Sequence, residues 1–468
     1  MSLLGHYLLP HPPIILPEIG RGEERKISET TNSFNVIGKE IGEKAPDTII
    51  LITPHGTMFE DAIALTFEDE ISGDLNKFGA PAVAMNLQIH KALTSKIYEL
   101  ASKEGIPTVM PTDALLKKYN AKVLLDHGAM VPLYYINKYH KGYNLVHITY
   151  APLKDMDLYR FGIIINQAVE ELKIKAVCIA SGDLSHKLKD DGPYGFSPYG
   201  ETFDLGFLQY LQKGDVEGVF NMDRDIISNA GECGRSSMAI LLGTLEGKAF
   251  KGEILSYEGT FGVGYGVMRF NIIGEALPKL AKLEALRKAN LEKKNNQKDP
   301  YVKLARESLT TYLSSKEELK GIPEYVTDEM KNAKGGVFVS LKKHGNLRGC
   351  IGTMLPTTSS IAEEIIRNAV EAGLKDPRFT EVIYEELLDI DFSVDVLTTP
   401  IAVTKEELDP KIYGVILTSK AKRGLLLPDL EGVNTVEEQL SIALGKAGIM
   451  PNEDYTIQSF TVIRHKED

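Results

Sequence analysis

The feature that most constrains this chain is a rhythm across residues 1–277, where short runs that are apolar on both faces alternate with amphipathic stretches. DTIILIT (47–53), YNLVHITYA (143–151) and KAVCIASG (175–182) are short, rich in β-branched residues, and have no polar side to turn to water. Such runs are expected of central strands covered by helices on both faces. Between them, HKALTSKIYELASKEG (90–105) and LYRFGIIINQAVEELKI (158–174) carry apolar residues at helical spacing. The alternation predicts an α/β sandwich with a central, largely parallel or mixed sheet. In sheets of this kind, polar residues just past the carboxyl ends of the strands line the ligand crevice.

With 468 residues the chain exceeds one ordinary core. A boundary is expected in PKLAKLEALRKANLEKKNNQKDP (278–300), where Leu280, Leu283 and Leu286 at helical spacing give way to a Lys/Asn/Gln run. The stretch 278–297 reads as a solvated linker, or equally as a helix joining two domains. The remainder, 298–468, is expected to be a smaller α+β domain. GGVFVSLKKHGNLRGCIGTM (335–354) reads as two strands around a His-Gly-Asn turn. Helices are expected at 359–376 and 435–448, and strands at 392–400 and 413–428.

The formal charge of −12, with acidic residues spread along the sequence, argues against a nucleic-acid surface. No apolar run approaches the roughly 20 residues needed to span a bilayer. The opening MSLLGHYLLPHPPIILPEIG lacks a basic leader and a small-residue cleavage site, and is expected to be a first strand and loop. Three cysteines match no zinc module, so a cytoplasmic location is expected and no disulfide framework.

Four histidines stand in chemically suggestive positions: His11 in LLPHPPIIL, His55 in ILITPHGTM, His127 in LLDHGAMVPL and His186 in IASGDLSHKL. Taken singly, each is the kind of histidine that more often makes a structural hydrogen bond than a metal bond. His11, His55 and His186 each follow an apolar strand-like run, and such ends converge on one crevice. Imidazole is the commonest metal ligand. Two histidines and a carboxylate would suit ferrous iron with open positions for substrate and dioxygen. Glu232 in SNAGECGRSSMAIL (228–241) is the expected carboxylate, although it also suits a helix N-terminus. Cys233 competes for the role, and its thiolate would favour copper or zinc.

In their order, PHPP around His11, the His-Gly turn at His55, DHG-x-x-VPL (126–133), SGDLSH (181–186) and the Gly-Glu pair before an apolar helix (231–232) resemble the class III (LigB-type) extradiol dioxygenases and their Memo-like relatives. The resemblance implies His11, His55 and Glu232 as Fe(2+) ligands, His186 as acid/base, and His127 facing a catechol-like or aminophenol-like substrate. The E-C-G-R run (232–235) also resembles the Memo-like branch, where a cysteine at the position of Cys233 can be the ligand. The second domain is similar to the AMMECR family through LRGCIG (347–352), KDPRF (375–379) and RGLLLP (423–428). That family implies no reaction. Cys350 beside Arg348 reads as a reactive thiolate or as a small strand cysteine, and Arg348 and Arg378 read as anion binders. The fusion resembles the arrangement called AmmeMemoRadiSam system protein A. With no Cys-x3-Cys-x2-Cys run in this chain, the resemblance implies a separate radical-SAM partner.

Three functions follow as expectations: an iron-dependent dioxygenase with an aromatic substrate and dioxygen; a metal-binding redox or modification component of that partner system; and a scaffold with structural histidines. Oligomeric state is left open, a homo-oligomer included.

Overall fold

The computed structural model describes residues 3–117, 122–343, 346–430, 432–450 and 452–467. It divides into two compact units, Met1–Leu286 and Arg287–Asp468.

Among the described residues, the first unit is built on ten strands: β1 (Gly5–Leu9), β2 (Thr48–Thr53), β3 (Ile63–Leu65), β4 (Glu70–Leu75), β5 (Ala80–Gln88), β6 (Thr108–Val109), β7 (Asn144–Thr149), β8 (Ala176–Ser181), β9 (Lys248–Glu258) and β10 (Tyr265–Glu275). Eight form one sheet in the order β6-β3-β7-β2-β8-β1-β10-β9, while β4 and β5 make a separate antiparallel pair. The central strands β7, β2, β8 and β1 run parallel to one another. The sheet is mixed because β3 pairs antiparallel with β7, and the β9–β10 hairpin adds antiparallel to β1.

Every residue of β2 is buried, and its alternate side chains serve opposite faces. Ile50 and Ile52 join one core with Leu93, Ile97, Leu158 and Phe161. Ile49 and Leu51 join the other with Phe34, Ile37, Met130 and Leu133. Helices Lys91–Lys103, Asp155–Leu172 and Arg235–Gly243 therefore cover one face, and Ser28–Lys44 with His127–Ile136 the other. Two of these helices nearly touch: a Cβ on Gly162 would overlap the Ile240 carbonyl and crowd Gly243.

The register explains where the histidines fall. Leu9 pairs with Ser181, and Ile52 with Ala180. The carboxyl ends of β1, β8 and β2 are thus level and adjacent. The segments carrying His11, His186 and His55 leave the sheet side by side.

The stretch 278–297 is helical over Leu280–Asn295. Leu283 is buried in the first unit's core, and Leu291 packs on that of the second.

The second unit holds two antiparallel four-stranded sheets. One has the order β12 (Asn346–Thr353), β11 (Gly336–Lys343), β13 (Ile390–Leu397), β18 (Val462–Lys466); the other β14 (Ile401–Ala402), β17 (Thr456–Phe460), β15 (Gly414–Ser419), β16 (Lys422–Leu426). Val337, Val339, Leu341 and Val394 pack beneath helices Pro300–Ser315 and Ile361–Leu374. The run expected at 413–428 is the β15–β16 hairpin. Of the expected His-Gly-Asn turn, His344 and Gly345 lie outside the described residues. Among the described residues, no helix is long and apolar enough to cross a membrane.

Candidate metal centre

Past the level ends of β1 and β2, the Nε2 atoms of His11 and His55 face each other at 3.0 Å. The Cys233 Sγ lies 3.7 Å from the His11 Nε2. Ligand atoms from these three residues all fall within 4.8 Å of one another.

Cysteine reaches the histidines because two loops pack backbone to backbone. A Cβ on Gly182 would overlap the Cα of Gly234, so only glycines allow the approach. Across it, the Cys233 N–H donates to the Asp183 carbonyl at 3.3 Å, and the Asp183 N–H points at the Cys233 Sγ at 3.3 Å. The Tyr150 hydroxyl donates to the Cys233 carbonyl at 3.0 Å.

Glu232, expected as the third ligand, is not in this cluster. Its Oε2 accepts the Arg235 N–H at 2.6 Å. The first N–H groups of helix Arg235–Gly243 lack intrahelical acceptors, and the helix dipole favours a carboxylate there. The neighbouring Cys233 is left to face the histidines.

Asp183 is the fourth group at the site. Its Oδ1 accepts the His11 N–H at 2.8 Å, and its Oδ2 lies 3.9 Å from the His11 Nε2. Burial pushes its carboxyl up to about 6. Burial also lowers His11 to about 3, with the charge of His55 adding to the effect, and it lowers His55. The Cys233 thiol is pushed up by burial and then by Asp183. Every one of these shifts disfavours the charged form, and a cation's own charge would reverse the balance for the acids. Two neutral imidazole nitrogens and a thiol converging on one small space fit a transition metal by donor chemistry.

Residues 5–268 match the model of the catalytic LigB subunit of aromatic ring-opening dioxygenase. This chain belongs to the LigB family. Residues 302–465 match AMMECR1, so the protein is a LigB–AMMECR1 fusion. A protein of Clostridium acetobutylicum is 66% identical over 467 residues, covering all of both chains. A Thermotoga maritima protein is 49% identical over 170 residues, 36% of this chain and 97% of its own. An uncharacterized protein from Pyrococcus horikoshii of known structure is 31% identical, covers 36% of this chain and 90% of its own, and gives a TM-score of 0.34.

In the LigB unit, His127 stacks on His55 with ring centroids 4.3 Å apart, and Phe78 packs on its outer side at 5.1 Å. Burial lowers His127, and the charges of His11 and His55 add to this. His55 and His127 both line a cavity of about 1120 Å³, together with Leu75, Lys77, Phe78 and Leu124. His186 does not line it. Its ring stacks on Tyr194 at 4.9 Å, and burial lowers it while the Asp183 charge raises it.

A buried carboxylate supports both cavity histidines. Asp126 accepts from Thr53 Oγ1 at 2.6 Å, and that hydroxyl accepts the His55 N–H at 3.2 Å. Asp126 also caps the helix that begins at His127 and meets the His147 Nε2 at 2.9 Å, with Thr66 behind His147 at 2.9 Å. Burial pushes the Asp126 carboxyl up, but the hydrogen bonds from His147 and Thr53 outweigh it and hold the carboxyl low. Sequence reasoning gave no role to Asp126, Asp183, His147 or Ser181. The signal for His147 was a histidine inside an otherwise apolar strand, since such a group needs a partner.

In the AMMECR1 unit, Asp376 joins two motifs: its Oδ2 accepts the Cys350 N–H at 2.8 Å and pairs with Arg378 at 2.7 Å. Arg348 spends its guanidinium on Glu386 and on the Thr380 carbonyl. The Cys350 Sγ instead accepts from Ser340 at 3.2 Å. Of the readings open for Cys350, the one with Arg348 beside its thiol is not seen, because Arg348 forms an ion pair with Glu386.

Proposed function

We propose that the LigB unit is a metal-dependent oxidoreductase acting on a catechol-like or aminophenol-like ring, with His11, His55 and Cys233 as its metal ligands. The observation that carries this reading is the pair of Nε2 atoms 3.0 Å apart with a cysteine sulfur beside them. Cysteine in place of the expected Glu232 keeps the count of two neutral donors and one anionic donor once the thiol ionises. Ferrous iron, the preferred metal, would supply the one-electron chemistry with dioxygen that no side chain can.

The chain's own groups account for the rest. His186 stands outside the cavity but close enough to the metal ligands for the charges of Asp183 and His55 to act on it; lowered by burial, it can take a hydroxyl proton from a substrate held at the metal. The Tyr194 ring stacks on it at 4.9 Å. His127, stacked on His55 and lining the same cavity, would face the ring of the substrate. The cavity of about 1120 Å³ beside His55 and His127 has room for an aromatic ring.

A second reading is favoured by Cys233, because a thiolate selects softer metals such as copper and zinc. In it the protein is a redox or modification component working with a separate radical-SAM partner, without ring opening.

Metal analysis of wild type, Cys233→Ala and Glu232→Ala tests the ligand set. Loss of metal only in Cys233→Ala is expected, and loss only in Glu232→Ala would reject it. Oxygen uptake by protein loaded anaerobically with Fe(II), across catechols and aminophenols, then separates the readings. Silence from the fully loaded protein would leave the second.

A further inference from the structure

Helix His127–Ile136 contains Pro132, which has no N–H. The carbonyl one helical turn back, that of Gly128, thereby loses its α-helical donor. Ser181 fills the gap: its hydroxyl donates to the Gly128 carbonyl at 2.5 Å. Ser181 is fully buried, so water does not compete for the bond.

A hydroxyl has one proton to give. The Ser181 Oγ also lies 2.9 Å from the His11 Nδ1. With its proton committed to Gly128, Ser181 can only accept there, so the Nδ1 of His11 must carry the hydrogen. In a neutral imidazole the other nitrogen is then bare. That nitrogen is the Nε2 facing His55 and Cys233.

We propose that Pro132 and Ser181 are positioning residues that set the tautomer of His11. Proline frees a carbonyl, the carbonyl claims the serine proton, and the serine forces the imidazole to present its Nε2 lone pair to the cluster. The VPL of the DHG-x-x-VPL segment thus acts on His11 through a chain of two hydrogen bonds. One consequence follows for the metal-free protein. The His55 Nε2, at 3.0 Å from a bare nitrogen, must itself carry the hydrogen and donate it to His11. The benefit of the device to metal binding rests on the reading of His11 as a ligand; the tautomer itself does not.

The test is long-range 1H–15N correlation on the metal-free full chain with labelled histidine, the His11 signals being identified by their loss in His11→Gln. Wild type is expected to show His11 as the Nδ1–H form and His55 as the Nε2–H form. In Pro132→Ala the new backbone N–H competes for the Gly128 carbonyl, releasing the serine hydroxyl to donate to His11. The Nε2–H form of His11 should then become populated. Ser181→Ala, which leaves the Gly128 carbonyl and the His11 Nδ1 without their shared partner but leaves the helix backbone as it is, should relax the same preference and serves where the proline variant folds poorly. Co(II) titration is the second readout, with binding expected to weaken about 10–100-fold in both variants.

His11 found as Nε2–H in wild type, or unchanged as Nδ1–H in both variants, would overturn the proposal. A tautomer that responds as expected while Co(II) affinity stays constant would uphold the device and reject His11 as a ligand.

Discussion

Asp204 is fully buried, and its Oδ1 accepts the Ser185 N–H at 2.7 Å while its Oδ2 accepts from the Tyr257 hydroxyl at 2.8 Å. These bonds hold the loop between Ser181 and His186. Burial pushes the carboxyl up, the two bonds pull it down, and the charges of Glu232 and Glu201 push it up again; burial prevails, at about 7 against an ordinary 3.8. The folded state therefore binds this proton more tightly than the unfolded chain does. The resulting stabilisation is full below the ordinary value, is lost as pH rises through about 7, and changes no further above that. At about 1.4 kcal/mol per pH unit, the total is roughly 4 kcal/mol, an upper figure for a group whose surroundings can relax. Asp204→Asn removes the charge yet keeps an oxygen for Ser185, while its amide can donate to the Tyr257 oxygen. Relative to wild type, the variant should gain about 2–3 kcal/mol between pH 5 and pH 8, read from urea unfolding followed by circular dichroism. A stability difference independent of pH across that range would refute the argument, because neither hydrogen bonding nor packing of the amide titrates there.

Three further outcomes are expected. Asp126→Asn should weaken Co(II) binding by about 10–100-fold without unfolding the chain, since the support shared by His55 and His127 loosens; unchanged affinity by calorimetric titration would count against it. Gly162→Ala should destabilise the LigB unit by about 1–3 kcal/mol in urea melts, because the added methyl meets the Ile240 carbonyl rather than a yielding side chain. In the AMMECR1 unit, Arg306 is fully buried and donates to Glu467 and to the Leu387 and Ile390 carbonyls. Arg306→Ala should cost about 3–5 kcal/mol by stranding Glu467, with Arg306→Ala/Glu467→Gln partly restoring the loss.

The parallel core was legible because its strands are apolar on both faces, a pattern that helix-covered sheets alone require. β1, β2 and β8 being neighbours was not written in the runs themselves. It followed from the register, and only the rule about carboxyl ends linked His11 to His55 beforehand. The β9–β10 hairpin went unread because its long strands mix polar and apolar residues, with irregularities in register at Val267/Met268 and Ile272/Gly274. Likewise, the cavity wall from the β4–β5 arm arises from residues such as Ser72, Asn76 and Lys77 that look like any exposed loop.

The choice between Glu232 and Cys233 shows where a one-dimensional reading stops. Adjacent residues at a helix entry point in different directions, and which one reaches the histidines depends on which has a competing partner. Glu232 has one, the Arg235 N–H, and a helix terminus offers a carboxylate a stabilisation of about 0.3–1 kcal/mol that it does not offer a thiol. The thiol has no such claim on it. The closeness of Gly182 to Gly234 carries it to the Asp183 loop, where the sulfur accepts the Asp183 N–H at 3.3 Å and lies 3.8 Å from the Asp183 carbonyl. The helix thus sorts the two side chains by what each can accept. The same rule makes Glu232 informative: if the cap is the reason that it stands aside, Glu232→Gln should leave the metal content intact, because the amide oxygen still accepts from Arg235.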